Sequence, residues 1–110
     1  MIPPKQELSL LHSHICQALG DPKRLLILYA LHEQPRHVSA LAQVLELPQP
    51  TVSRHLQVLG QHALVEAERD GLLVTYRLAD SQIISILEAM RQVLRNMLTR
   101  QVEMAQRSGG

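Results

Sequence analysis

Apolar positions along the chain fall into three regimes: helical steps of three and four, a short alternation, and helical steps again. Leu8, Leu11, Ile15 and Ala18 or Leu19 recur at helical spacing, which predicts a helix over 6–19 behind a loose lead-in at 1–5. Gly20 stops it. "DPKRLLILYALHE" restarts the pattern, with Asp21 as N-cap, Pro22 at the first helical position and Leu25, Leu28 and Leu31 or His32 on one face. Pro35 marks the end of that second helix. Ser39 suits the cap of a third, "ALAQVLE", and "LPQP" forces a turn before a fourth over 49–60. "LVEAERDGLLVTYRL" then changes to strand-like runs over 64–78 around Asp70-Gly71, with both turn residues expected at positive φ. Asp80 caps a last helix over 80–103, and 104–110 reads as a frayed tail. Its seam is Ile83, Leu87, Met90, Leu94 and Met97, widened by Ile84, Ile86, Val93 and Leu98.

Helix, helix, helix-turn-helix over 39–60, hairpin, helix: the order predicts a mainly α fold with a β-hairpin, a winged helix-turn-helix. The seam on the last helix is too apolar to leave in water.

At 110 residues the chain makes one domain, and its core must be aliphatic, since Phe and Trp are absent and Tyr29 and Tyr76 are the only aromatics. A formal net charge of +1 says little by itself; a nucleic-acid binder of this charge has to gather its cations on one face. The single Cys16 excludes an intrachain disulfide and a cysteine-rich zinc site. With no secretory segment and no apolar run of membrane-spanning length, the expectation is a cytoplasmic protein with no membrane partner. No catalytic spacing and no Gly-rich phosphate loop occurs, so an enzyme is not expected, and no cofactor is.

The fourth helix carries the chemistry. Val52, Leu56 and Leu59 make its buried stripe, and no acid occurs from Leu47 to Val65. A helix lying in the major groove of double-stranded DNA needs that anchor, a polar outer face and no carboxylate facing phosphate. Arg54 lies nearly opposite Val52 and points at the groove; Gln57 and Gln49 suit base edges, and Thr51 and Ser53 suit phosphates. His55 sits nearer the buried flank and packs. Arg69 and Arg77 are the cations of the hairpin, while Asp70 at its tip opposes phosphate.

The chain resembles the ArsR/SmtB family of winged-helix repressors through "ALGDPKRLLILYAL", "LAQVLELPQPTVSRHLQVL" and "ALVEAERDGLLVTYRL", most of residues 17 to 78. The resemblance implies a homodimer on an inverted-repeat operator, released by an effector, with the first and last helices as the dimer interface. Departures from the family bear on the effector, which the sequence leaves unidentified. Where family sensors carry a Cys-x-Cys pair this chain has His37 and Ser39. Where others bind zinc on the last helix it has Asp80, Gln82, Val93 and Asn96, a set lacking the needed histidines. Pro48 replaces a capping serine. Cys16 with His12 is the one pairing open to sensing, with His14 as a third group toward a metal, although two or three such ligands do not by themselves make a site; the bland alternative is a small buried cysteine. No metal site is expected otherwise. Two alternatives to the repressor stay open: a dimeric protein-interaction module with a degenerate DNA-reading helix, and a redox or metal sensor acting through Cys16.

Overall fold

The computed structural model describes residues 1–109. Its elements are α1 (Lys5–Leu11), which runs into a π-helical turn (His12–Cys16), then α2 (Pro22–Glu33), β1 (Arg36–His37), α3 (Val38–Leu45), α4 (Gln49–Gln61), β2 (Val65–Asp70), β3 (Leu73–Leu78) and α5 (Gln82–Gly109).

Asp21 does start α2. Its Oδ1 accepts the Lys23 N–H at 2.8 Å, and Pro22 supplies a ready-made φ for the first turn. That N–H holds the Asp21 carboxyl below its usual range, with the charge of Arg24 adding to it. The buried face is broader than the spacing suggests. Ile27, Leu28, Ala30 and Leu31 are buried, Leu25 is partly covered and His32 is exposed. The reason is placement: α2 runs through the middle of the fold and touches α3, α4, β3 and α5.

Two local expectations are corrected around α3. Ser39 does not cap it; His37 occupies that position without a side-chain bond, and the helix begins at Val38. The cause is β1, a two-residue strand that the sequence reading lacked. Arg36 pairs with Tyr76 and His37 with Thr75, so the chain is held extended up to His37 and turns helical at once. The three strands form one antiparallel sheet in the order β1-β3-β2. At the hairpin, Asp70 pairs with Leu73, which leaves Gly71 and Leu72, not Asp70 and Gly71, as the two turn residues. Gly71 alone has a positive φ, 64°, as in turns that place Gly first, and Asp70 ends the strand instead.

α5 departs from expectation at its far end. Asp80 Oδ1 accepts the Gln82 N–H at 2.9 Å, as its capping role requires. The helix then continues through the stretch read as a tail to Gly109, because nothing between Val102 and Arg107 breaks it; Gly110 lies outside the described residues. The first helix departs too: its regular part ends at Leu11, and the Gln17 N–H reaches back to the His12 carbonyl at 3.0 Å, the five-residue step of a π turn.

One aliphatic cluster joins these pieces. Ala18, Ile27, Leu28, Leu41, Val52 and Leu59 have no exposed surface, and Val65, Ile83, Ile84 and Leu87 close it from the sheet and α5. A polar junction fixes the departure of α5 from α2. The Tyr29 hydroxyl and Arg91 Nη1 both donate to Glu88 Oε1 at 2.7 Å, and the Arg91 guanidinium lies 5.9 Å from the Tyr29 ring centre. The Tyr29 hydroxyl bond does most to hold the Glu88 carboxyl below its usual range.

Leu56→Ala should therefore cost about 2–5 kcal/mol in urea unfolding, since the side chain is 1% exposed and its cavity is walled by other elements. For Asp21, the folded carboxyl ionises below the unfolded one, so its stabilisation is present above the unfolded value and is lost as pH falls through the folded one. The difference in urea midpoint between wild type and Asp21→Asn should accordingly shrink on acidification below about pH 4; a difference that stays constant down to pH 2 counts against that cap.

Candidate nucleic-acid interface

α4 is delivered to the surface by a turn that leaves little freedom. Glu46 takes left-handed geometry, φ 55°, and ends α3, while the Leu47 N–H returns to the Ala42 carbonyl at 3.0 Å. Pro48 then stands at the N-cap with φ −59° and Pro50 follows inside the first turn, so entry into α4 is set by two rings and not by a side-chain cap. Val52, Leu56 and Leu59 are buried beneath the helix.

The remaining faces separate cleanly. Ser53, Arg54, Gln57 and Gln49 are exposed, and Thr51 and His55 are half-buried on the flank. Arg54 has no ion-pair partner among the described residues. The nearest acids in sequence, Glu46 and Glu66, lie outside the helix. Gln49 lines a shallow groove of about 220 Å³ with His37, Val38, Ser39 and the hairpin residues Leu72, Leu73 and Val74, so the start of α4 and the hairpin tip border one concave surface.

The hairpin cations divide. Glu66, Glu68, Asp70, Leu73, Thr75 and Arg77 share one face of the ribbon, by their pairing register. On it Arg77 donates through Nε to Glu66 at 3.3 Å and through Nη1 to Glu68 at 2.7 Å. The Glu68 bond is the main cause of a guanidinium pushed further from deprotonation. Arg69 lies on the other face, exposed and without an ion-pair partner among the described residues. Leu72 at the tip is 99% exposed.

The possible sensing residues sit apart from this surface. Cys16 is exposed in the protomer, which corrects the alternative of a thiol buried there: Ile15 in the π turn and Ala18 and Leu19 just beyond it pack inward, and Cys16 faces away. His14 meets His62 instead of Cys16. The His62 Nδ1 bonds the His14 carbonyl at 3.0 Å and the rings meet edge to face with centres 6.5 Å apart. Among the described residues no three His, Cys, Asp or Glu side chains are grouped to hold a metal ion, so one protomer does not assemble His12, His14 and Cys16 into a site. No described helix is long and apolar enough to cross a membrane.

Two groups at this surface were not singled out from the sequence. Arg24 Nη1 comes within 3.3 Å of His55 Nδ1 on α4, a contact spanning 31 residues with no local sign. Glu66 and Glu68 become partners of Arg77 through the observed register, which places Glu66 opposite Arg77, where an Asp70-Gly71 turn would have placed it opposite Thr75.

Comparison with known proteins agrees with this geometry. The profile of the bacterial regulatory protein, arsR family, matches residues 21–67. The HTH-type transcriptional repressor SmtB of Mycobacterium tuberculosis is 39% identical over 85 residues, 77% of this chain and 63% of that protein. This chain thus spans less than two thirds of that repressor's length. The nodulation protein NolR of Rhizobium meliloti is 33% identical over 91 residues, covering 83% of this chain and 75% of that protein. In structure, the homodimeric winged helix-turn-helix DNA-binding domain of a possible ArsR-family regulator from Mycobacterium bovis superposes with a TM-score of 0.72 at 30% identity, over 87% of this chain and 91% of that one. The chain belongs to the ArsR family of bacterial regulatory proteins.

Proposed function

We propose that this protein is a homodimeric transcriptional repressor that binds an inverted-repeat DNA operator through α4 and leaves it when an effector binds. The observation that carries this reading is the outer face of α4: Ser53, Arg54 and Gln57 stand exposed, Arg54 is unpaired within the described protomer, and no carboxylate shares the helix. Arg54 reads a base edge, Gln57 and Gln49 hydrogen-bond neighbouring edges, and Thr51 and Ser53 bond phosphate. Of the hairpin cations Arg69 meets the backbone; Arg77 is already neutralised by two carboxylates and contributes less. The role is regulatory and not catalytic, and it is exercised in the cytoplasm, where the DNA is.

Dimerisation is supported by what α5 leaves uncovered. Ile83, Ile84 and Leu87 are spent on the protomer core, but Met90, Val93, Leu94, Met97 and Leu98 are each between 44% and 56% exposed, and Leu8 and Leu11 on α1 are similarly open. A stripe of that length is buried against a second copy of the chain, with α1 beside it. This is how two copies of α4 come to be held at a fixed spacing.

A second reading, a dimeric protein-interaction module, draws on the acidic hairpin face that ties up Arg77. Selection from random duplex DNA separates the two. An operator reader enriches an inverted repeat with half-sites about 10–10.5 base pairs apart or a multiple of it, and its affinity falls steeply with salt; a folded dimer that enriches nothing is the interaction module.

On the selected site, Arg54→Ala should cost about 1–3 kcal/mol and relax selectivity at one base position, read by competition titration. An equal loss on all DNA would make Arg54 a phosphate contact only. Leu94→Glu should shift the protein from dimer to monomer in sedimentation and abolish operator binding while the helical circular dichroism persists; a dimer that survives the substitution moves the interface elsewhere.

A further inference from the structure

We propose that Arg24 is a positioning residue for α4, setting the roll of the DNA-reading helix through His55. This role rests on α4 reading DNA, as proposed above. Arg24 lies in the first turn of α2, half-buried, and its three nitrogens take three partners. Nε donates to the Ala18 carbonyl at 2.6 Å and Nη2 to the Gln17 carbonyl at 3.1 Å, both at the end of the first helical segment, while Nη1 stands 3.3 Å from His55 Nδ1. A guanidinium has donors only, so the imidazole accepts at Nδ1 and carries its hydrogen on Nε2. One side chain thus joins three segments: the end of the first helix, the start of α2 and the middle of α4.

The need for such a tether follows from the rest of the α4 seat. Val52, Leu56 and Leu59 hold the helix by apolar burial, which is strong and without direction. Sliding or rolling on aliphatic side chains is resisted only by their shape. A roll of about 10° moves a group about 6 Å from the helix axis by roughly 1 Å, enough to break the alignment a hydrogen bond needs. His55 is the residue next to Arg54 and sits on the flank of the buried stripe. A directional bond there pins the roll, and Arg54 inherits the angle. The reference for the pin is the pair of carbonyls at Gln17 and Ala18, so α4 is registered against the first helix as well as against the core. Lysine, a single point donor, cannot make this three-way fork.

The test measures binding to the selected operator and to unrelated duplex DNA for wild type, Arg24→Met, Arg24→Lys, His55→Phe, the Arg24→Met/His55→Phe pair and Arg54→Ala. Urea midpoints and the imidazole nitrogen shifts of His55 are recorded alongside. Arg24→Met and His55→Phe should each weaken operator binding about tenfold, the effect of one lost charge-assisted hydrogen bond, and leave unrelated DNA unchanged. Lysine should not rescue, and the double variant should be no worse than the more damaging single, because both remove one contact. The wild-type ring should show hydrogen on Nε2 and an accepting Nδ1, a signature that Arg24→Met erases. His55→Phe keeps both carbonyl bonds of Arg24 and carries the test if Arg24→Met does not fold. A wild-type ring with hydrogen on Nδ1, or operator binding in both variants within about twofold of wild type, overturns the role. So does a loss in His55→Phe with Arg24→Met silent, which makes His55 a DNA contact in its own right. If Arg54→Ala changes neither the affinity nor the selectivity of operator binding, the reading of α4 as the DNA helix fails, and it does so independently of Arg24.

Discussion

Everything in this fold hangs on the burial of α2 against α4. With no Phe or Trp in the chain, Ile27, Leu28 and Leu31 meet Val52, Leu56 and Leu59 through branched aliphatic side chains alone. Such a core has a large driving force and little angular preference. Angle is supplied at its margins by polar groups: Asp21 and Arg24 at the head of α2, Tyr29 with Glu88 and Arg91 where α5 leaves, and the Pro48–Pro50 entry to α4. Binding energy sits in the middle of the protomer, and geometry is decided at its edges.

That division explains how much could be read from the sequence. The elements whose signals are local were legible: Asp21-Pro22 opening α2, the Pro-flanked start of α4, the switch to strands and Asp80 opening α5. Misread features depend on partners far along the chain. β1 is two residues long and exists because β3 offers Thr75 and Tyr76 as pairing partners, and its presence moved the start of α3 from the expected Ser39 cap to Val38. The hairpin turn moved by one residue, since pairing Asp70 with Leu73 extends the ladder and leaves the left-handed position to Gly71. The π turn at His12–Cys16 contains neither Gly nor Pro to mark it.

The candidate interface divides in the same way. Which face of α4 is buried follows from spacing inside thirteen residues, so the outward position of Ser53, Arg54 and Gln57 needed no tertiary information. Whether a cation is unpaired does need it: Arg69 and Arg77 look alike in sequence, and only the strand register gives Arg77 two carboxylates and Arg69 none. Exposure of Cys16 was likewise undecidable from helical periodicity, because the turn that carries it is not α-helical.

The carboxylates around Arg77 have a second effect, unrelated to phosphate. β2 is one of the two outer strands of the sheet, and its far side offers unpaired backbone groups to any passing extended chain. Of its six residues, Glu66, Glu68, Arg69 and Asp70 are charged and all four are exposed. A foreign strand docking there would have to strip water from that row of ions, with three of the four of one sign. This edge is self-repelling, so copies of this protein crowded together have little means of joining sheet to sheet through β2.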